Sequence, residues 1–352
     1  MNRNELPKGA TIDGYIRFAP DLAADVLELM RAANDPAIAI AKTGVPIMDD
    51  DITMGAGTVT VVAARPSHGK SMMLKLLARQ SLRQIMANTA SAGGADSGDV
   101  VVYVTLEEPG EKLFIEIGGH TGYSYRNIQR GQMPDDLPST IAALQGVKIL
   151  GGLAVIEHPG LVGGKIAPPI TTEIIVSIIE RLASEYGKRP RAVFVDYLQL
   201  LSATYTTQNE RSRTDVVTAA ANGVAALARA FHCPVIVAAQ AGREVDNRKI
   251  KCPLMGDMQH ASAIEQFAHT ILGLWRPIID GEREVEIGGG TVSVTNETML
   301  VRVAKSRADG AGGKIYTLNF NPVTLDAFII DPTLTESIGG ARVSERGREW
   351  WQ

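Results

Sequence analysis

The sequence contains little cysteine and no long apolar run. Its two cysteines, Cys233 and Cys252, fall within or near apolar stretches and lack the spacing of metal ligands, so we expect buried, reduced thiols. No segment approaches the roughly 18 consecutive apolar residues of a transmembrane helix, and the N-terminus shows no apolar signal-peptide segment. These absences predict a cytoplasmic protein that does not enter a membrane.

The sequence also lacks an excess of charge of one sign. It has 35 basic and 39 acidic residues, a formal net charge of −4, which argues against a protein that coats nucleic acid through its overall charge. A few well-placed lysines and arginines could still form a local basic channel. The 45% hydrophobic and 21% charged residues are typical of a globular protein with a sizeable core.

Short apolar strands alternate with helices from residue 58 onward, and there is no internal repeat. This alternation predicts an α/β fold with a mostly parallel twisted sheet covered by helices on both faces. The predicted strands lie at 58–64, 101–108, 191–201 and 234–240, with further strand-like runs after residue 265. The predicted helices lie at 70–86, 171–186 and 214–231, and an amphipathic helix at 21–33 precedes them.

The segment AARPSHGKS, residues 63–71, is similar to a phosphate-binding loop but lacks its first glycine. The pattern G-x-x-x-x-G-K-[ST] requires glycine where Ala64 stands. The segment follows a predicted strand and opens a predicted helix, whose N-terminus offers free N–H groups and a positive dipole end. Lys70 would reach the β- and γ-phosphates of ATP, and Ser71 would bind Mg²⁺. The alternative is a chance Gly-Lys-Ser on an ordinary strand–loop–helix.

Polar residues stand at the ends of three other predicted strands. Asp196 could orient water on Mg²⁺, Glu107 could polarise an attacking water, and Gln240 could sense the γ-phosphate. The carboxyl ends of strands line the ligand crevice of an open α/β sheet, which favours these roles. Taken singly, each residue is better explained as a polar strand terminus that faces solvent.

In order and spacing, the motifs together resemble the C-terminal ATPase domain of DnaB-type replicative helicases, which has a RecA-like fold. The resemblance runs from about residue 43 to about residue 330. It is carried by ARPSHGKS, VTLEEP, VFVDYLQLL, AAQAGREVDNR, SAIEQFAH and VAKSRADGAGG. It implies ATP and Mg²⁺ as cofactors, with Ser71 and Asp196 holding the metal. The implied nucleotide-binding residues are Ala64, Arg65, Pro66, Ser67, His68, Gly69, Lys70, Ser71 and Met72.

The same resemblance implies an enzyme that works as a ring. Glu107 would be the catalytic base and Gln240 the γ-phosphate sensor, while Lys305 and Arg307 would reach the γ-phosphate in a neighbouring subunit. A head-to-tail contact between copies that closes gives a ring, so we expect a homo-oligomer, a hexamer, on single-stranded DNA. The helix at 21–33 would correspond to the family's linker helix or, alternatively, cap its own sheet.

The segment 257–262, DMQHAS, departs from the family pattern. In that family the loop reads roughly Asp-Leu-Arg-Glu-Ser-Gly and lies along the DNA backbone. Here Gln259 replaces the arginine and Ser262 the glycine, and a lost cation weakens salt-dependent binding. A solvated surface loop explains this region equally well. The candidate nucleic-acid contacts are Arg211, Arg213, Arg243, Arg248, Gln259, His260 and Ser262.

We predict three segments: an N-terminal segment, 1–42; an ATPase core, 43–332; and a charged, flexible tail, 333–352. The family's N-terminal collar, involved in primase contact, is expected to be missing, so a primase or loader partner stays unidentified. The set of catalytic residues favours an ATP-driven helicase of DNA replication. The altered loop, the absent collar and the WWQ ending favour an ATP-gated assembly ring with little unwinding. A RecA- or KaiC-like ATPase is a weaker third interpretation.

Overall fold

The computed structural model describes residues 41–91, 97–118, 125, 129–131, 152–201, 213–258, 261–307, 311–321, 325–330 and 336–337. The helix predicted at 21–33 and the predicted tail therefore lie almost wholly outside the described residues. The described helices are α1 (Pro46–Asp51), α2 (Lys70–Ser91), α3 (Gly110–Gly118), α4 (Thr172–Tyr186), α5 (Arg213–Ala230) and α6 (Ala261–Phe267).

The described strands belong to one large sheet and two hairpins. They are β1 (Val59–Ala64), β2 (Asp99–Thr105), β3 (Leu153–Ile156), β4 (Leu161–Val162), β5 (Lys165–Ile166), β6 (Arg189–Asp196), β7 (Val235–Gln240), β8 (Thr270–Trp275), β9 (Glu284–Ile287), β10 (Gly290–Ser293), β11 (Thr298–Ser306), β12 (Lys314–Asn321), β13 (Asp326–Ile329) and β14 (Glu336–Ser337). The hairpins are β4–β5 and β9–β10.

The large sheet has the strand order β13-β12-β11-β8-β1-β7-β6-β2-β3, with β14 also paired to β12. The strands from β8 to β3 in this order run parallel, as predicted from the alternation of strands and helices. The pairs formed by β11, β12, β13 and β14 are antiparallel, so the sheet as a whole is mixed.

Both faces of the central strands are buried. In β1, Val59, Val61 and Ala63 pack into one hydrophobic cluster with α4 and α5, whereas Val62 and Ala64 pack into another with α2. A strand covered on both faces favours apolar residues at nearly every position. This explains why the central strands appear in the sequence as nearly continuous apolar runs, with the buried Thr60 as the exception in β1.

Local signals set the limits of α4, which precedes β6. The Thr171 side chain caps the helix by accepting a hydrogen bond from Ile174 N, and Gly187 ends it in a left-handed conformation with φ of 62°. The chain then enters β6 at Arg189 and reaches Asp196 at the end of that strand.

Two predicted strands end earlier than the sequence indicated. β2 ends at Thr105, because the Thr105 hydroxyl closes a turn: it donates to Glu108 O at 2.5 Å and accepts from Glu108 N at 3.2 Å. β6 ends at Asp196 rather than at residue 201, and the short 3₁₀ helix Leu198–Leu200 follows it. Glu107 therefore lies in a turn rather than within a strand.

The two cysteines are buried and free, as predicted. Burial raises the pKa of both the Cys233 and the Cys252 thiols to about 12, so both stay protonated at neutral pH. Among the described residues, no helix is long and apolar enough to cross a membrane. The cytoplasmic location stays a prediction.

Candidate nucleotide-binding site

The strands that carry the predicted site residues end at the same edge of the sheet. Ala64 at the end of β1 lies beside Gln240 at the end of β7, and Thr105 at the end of β2 lies beside Asp196 at the end of β6. We call this the carboxyl edge, and the opposite edge, where these parallel strands begin, the amino edge. In open α/β sheets, ligands bind beyond the carboxyl edge.

The loop between β1 and α2 has left-handed backbone conformations at Ser67 (φ 68°) and Gly69 (φ 95°). A Cβ atom on Gly69 would lie 2.7 Å from the Met299 Cε atom, so both conformation and space favour glycine there. Ala64, in contrast, is the last residue of β1 and is not among the described residues with positive φ. Alanine therefore fits where the general loop pattern has glycine.

Lys70 is the first residue of α2, and its ammonium group lies over the loop. The Nζ atom is 3.5 Å from Ala64 O and 3.4 Å from Arg65 O. Burial lowers the pKa of Lys70, while the carboxylates of Asp196 and Glu107 act in the opposite direction. One cation and two carboxylates therefore lie close together at the carboxyl edge.

The two oxygens of the buried Asp196 carboxylate differ in their hydrogen bonding among the described residues. The Tyr103 hydroxyl donates to Oδ2 at 3.3 Å, whereas Oδ1 has no hydrogen-bond partner among the described residues. Burial raises the pKa of Asp196, and the nearby Ser71 hydroxyl and Lys75 ammonium lower it in part. A buried anionic oxygen beside a hydroxyl is the type of ligand set that Mg²⁺ takes, so these residues fit the metal.

The described residues contain no cluster of three or more histidine, cysteine, aspartate or glutamate side chains that could hold a metal by themselves. Mg²⁺ commonly binds one or two carboxylates together with waters and substrate phosphates, so the Mg²⁺ site at Ser71 and Asp196 stays a prediction.

The two glutamates in the turn after β2 have different surroundings. Glu107 is exposed, and no hydrogen bond or ion pair holds it among the described residues. Glu108 is half-buried and pairs with Lys75, at 2.5 Å, and with Lys112. Burial raises the pKa of Glu108, but the two ammonium groups outweigh this effect and lower it below its ordinary value. Glu107 is therefore the glutamate that is free to contact a ligand.

The side chains of Arg65 and His68 fasten the loop to its surroundings. Arg65 donates to Ala241 O at 3.2 Å and pairs with Asp246 at 3.1 Å. The buried His68 accepts a hydrogen bond from Arg276 N at Nδ1, at 3.2 Å. Both side chains are thus engaged within the protein, while Pro66 and Ser67 are exposed and Ser71 and Met72 are half-buried.

Gln240 has a neighbour that the sequence analysis missed. Its backbone N–H donates to Gln199 Oε1 at 3.3 Å, and the Gln199 Nε2 atom is buried without a hydrogen-bond partner among the described residues. The signal was present in the sequence, since Gln199 follows Asp196 in the run VFVDYLQLL. Its contact with Gln240 depends on the pairing of β6 with β7.

Lys305 and Arg307 lie at the amino edge. Ser306 pairs with Thr270, the first residue of β8, whereas Ala64 pairs with Leu274 of the same strand. At about 3.3 Å per residue, these positions are about 13 Å apart along β8. Lys305 donates to Glu265 O, and Arg307 donates to Gln266 O at 2.7 Å. The structure therefore does not bring these two cations to the Lys70 loop of the same chain.

Residues 41–325 match the family of the DnaB-like helicase C terminal domain. The chain belongs to this family. Among its relatives, the replicative DNA helicase DnaB of Mycoplasma genitalium is 26% identical over 281 residues, which cover 78% of this chain and 53% of the relative. The corresponding helicase of Helicobacter pylori is 25% identical over 280 residues, covering 78% and 52%. The chain thus spans about half the length of these curated relatives.

Solved structures give the same result for the fold. One solved ATPase domain superposes with a TM-score of 0.65 at 21% identity, covering 90% of this chain and 100% of that one. A DnaB-like replicative helicase, determined with its interactions with primase, gives 0.63 at 22% identity, covering 87% and 67%. The predicted α/β, RecA-like fold is confirmed.

Within this family framework, the candidate nucleic-acid residues are only partly described. Arg211, Gln259 and His260 lie outside the described residues, and Arg213 begins α5. The Arg248 guanidinium is already paired with the Asp257 carboxylate, with Nη2 2.5 Å from Oδ1. Arg243 and Ser262 are exposed, and a bridge between Ala241 and Met258 brings their segments together.

Proposed function

We propose that this chain is the motor of a DnaB-type helicase, which couples ATP hydrolysis to movement on single-stranded DNA and to strand separation in DNA replication. The carrying observation is the group at the carboxyl edge: Lys70 over the loop, the unpartnered Asp196 oxygen, and the free Glu107 carboxylate, as seen among the described residues. A protein that only bound nucleotide would not need a free carboxylate beside the phosphate loop. Membership of the family supports the same interpretation.

The residues of this chain would divide the work of hydrolysis. The N–H groups at the start of α2 bind the phosphates, and Lys70 exchanges its two carbonyl contacts for phosphate oxygens. Ser71 and Asp196 would hold Mg²⁺, which supplies charge neutralisation when bound. Glu107 orients the attacking water and accepts its proton, and Gln240 contacts the γ-phosphate. Phosphoryl transfer needs this alignment and charge compensation more than covalent chemistry.

The proposed site is completed by a second copy of the chain. Lys305 and Arg307 lie at the amino edge, so they would contact a γ-phosphate only at the carboxyl edge of a neighbour. A contact between two different edges is heterologous, and it closes into a ring if the rotation allows. We therefore propose a ring, a hexamer, in which Arg307 acts as an arginine finger between subunits. The residues around 21–33 would serve as the linker.

The proposed DNA contacts rest on few cations. Arg243 is exposed and Arg248 is paired with Asp257, so backbone N–H groups of the loop would carry part of the phosphate binding.

We propose an ATPase core at 43–332, between an N-terminal segment and a tail, in the cytoplasm. The solved DnaB-like replicative helicase interacts with primase, and a primase or loader is a proposed partner of this chain as well.

The second candidate function is an ATP-gated assembly ring with little unwinding. It is favoured by the pairing of Arg248 with Asp257 and by Gln259 in place of an arginine, because both reduce the charge available to DNA. The two functions differ in how hydrolysis responds to DNA.

The test is ATPase activity with and without single-stranded DNA at low salt, together with unwinding of a forked duplex. Lys70→Ala is the control for contaminating ATPase. Stimulation by DNA with unwinding supports the helicase. An ATPase rate that does not change when DNA is added supports the assembly ring instead. If the wild-type chain hydrolyses no more ATP than Lys70→Ala, both proposals fail.

A further inference from the structure

Lys75 is a buried cation in the middle of an apolar helix face. It lies in the run MMLKLLA of α2 and is only 4% exposed. Its Nζ atom is 2.5 Å from Glu108 Oε2 and also pairs with Glu116 Oε2. Lys112 of α3 pairs with the same two glutamates, at 3.8 Å from Glu116. We call these four residues the Lys75 cluster.

The Lys75 cluster joins two parts of the proposed site. Lys75 belongs to the helix that begins at Lys70, five residues or about 7.5 Å along its axis. Glu108 belongs to the turn that carries Glu107. The ion pair therefore fixes the turn directly to the helix that follows the phosphate loop.

Other bonds hold the same turn and leave one side chain free. Leu106 N donates to Asp196 O at 3.0 Å, which ties the turn to the end of β6. Gly110 N donates to Glu157 Oε2 at 2.8 Å, which ties its far end to the segment after β3. Glu107, between these two bonds, is exposed and unpaired among the described residues.

We infer that Lys75 is a positioning residue for hydrolysis, which through Glu108 holds the Glu107 carboxylate in place relative to the phosphate loop. This inference rests on the proposed function. Lys75 does not itself face the phosphates, because two carboxylates engage its ammonium group. Its proposed effect on the reaction passes through the turn, because Glu108 opposes the direct effect of Lys75 on the pKa of the Asp196 carboxyl.

Stability alone does not account for the cluster. Removing an ion pair from water costs free energy that the attraction between the two charges offsets only in part. Apolar replacements of similar volume are therefore often equally stable or more so. Leucine or methionine at position 75 would continue the apolar face of α2 without this cost. A cation at position 75 is instead explained by its pairing with Glu108, which holds the turn that carries Glu107.

The decisive variant is the double substitution Lys75→Met/Glu108→Met, which removes both partners and leaves Glu116 paired with Lys112. Lys75→Met alone leaves the half-buried Glu108 and Glu116 carboxylates with Lys112 as their one shared cation among the described residues, and it is expected to unfold at lower denaturant concentration. The double variant should recover much of that stability. We expect its kcat to remain about 10- to 100-fold below wild type, because small misplacements of reacting groups cost this much.

Separate measurements of kcat and of ATP affinity distinguish a positioning role of Lys75 from a purely structural one. The affinity for a fluorescent ATP analogue should change by less than about twofold, since Lys70 and the loop are untouched, and Lys75→Arg should recover part of the lost kcat. Lys314→Met is the matched control: Lys314 also ties a helix to the sheet, at 2.6 Å from Asp51, but away from the carboxyl edge. Its kcat should equal that of wild type.

A double variant that is stable and hydrolyses ATP at the wild-type rate would overturn the inference. So would a kcat that falls and recovers only in step with the free energy of unfolding across the series. A wild-type chain without ATPase activity would instead refute the proposed function, so the two failures are distinguished by the wild-type measurement.

Discussion

Ser306 lies opposite Thr270 in the antiparallel pairing of β11 with β8, at the amino edge of the sheet. The residue that follows it, Arg307, is therefore held at the edge opposite to Lys70. The exposed Arg307 guanidinium donates to Gln266 O at the end of α6, at 2.7 Å. With this strand register, any contribution of Arg307 to hydrolysis at the Lys70 loop depends on the assembly of two copies.

If Arg307 acts between subunits, defects at the two edges should complement each other. Arg307→Ala should lower the ATPase kcat by about 10³-fold or more, the usual range for an arginine finger. Mixing it with Lys70→Ala should restore part of the activity, because the Lys70→Ala subunits contribute an intact Arg307 to their neighbours. Arg181→Ala, on the exposed face of α4, is the control. A mixture no more active than its components would contradict action between subunits.

Glu107→Gln should slow hydrolysis strongly and leave ATP binding intact. A base contributes about 10²- to 10⁴-fold, so kcat should fall in this range while affinity for a fluorescent ATP analogue stays near wild type. Glu111→Gln, which removes an exposed carboxylate at the start of α3, should keep wild-type activity. If Glu107→Gln hydrolyses ATP normally, the base is another residue.

The environment of His68 predicts a pH dependence of stability. Burial lowers the pKa of His68, against the opposing effects of Asp280 and Asp246, so folding favours the neutral imidazole. The unfolded chain binds a proton as pH falls below about 6.5. The contribution of His68 is therefore complete above that pH and is lost as pH falls towards the lower folded-state pKa.

This predicts a difference between wild type and His68→Asn, since asparagine retains an acceptor for Arg276 N but does not titrate. Between about pH 7.5 and 5.5, the Tm of wild type should fall more steeply than the Tm of the variant. Thermal unfolding followed by circular dichroism measures both slopes. Equal slopes would show that His68 does not couple proton binding to folding.

Gly273 in β8 is required by packing. A Cβ atom there would lie 2.2 Å from Pro253 O, a backbone atom that cannot move aside freely. Gly273→Ala should lower the free energy of unfolding by about 1 to 3 kcal/mol or more, as overpacking does. Gly256→Ala is the matched control, because its Cβ would meet nothing within 4 Å and its φ is not positive. Urea unfolding of both variants checks the contrast.

Local patterns predicted the centre of the fold and most of the candidate site. Strands buried on both faces have nearly continuous apolar sequences, and Asp196 and Gln240 end two of them. The short strands β3, β9, β10 and β13 were not predicted, because each has four residues and is partly exposed, and all but the apolar β3 mix polar and apolar residues. Such strands are specified by their partners rather than by their own composition.

The Lys75 cluster shows a second limit of the sequence. A single lysine within an apolar helical run is a visible signal, but its partners Glu108 and Glu116 lie 33 and 41 positions away. Ala64 illustrates the reverse case. The general pattern places a glycine at this position, but among the described loop residues the left-handed positions are Ser67 and Gly69, so alanine fits at the end of β1.

The hydrogen bond from Tyr103 to Asp196 joins positions 93 apart in the chain, and the bond from Arg276 N to His68 joins positions 208 apart. Closing such long loops costs conformational entropy before the contacts between their ends can form. Folds rich in contacts between residues far apart in sequence therefore form slowly. During refolding, helical circular dichroism should therefore return before binding of a fluorescent ATP analogue. Simultaneous recovery of the two signals would contradict this order. We therefore expect a newly made chain to become able to bind ATP late in its folding, after its helices have formed.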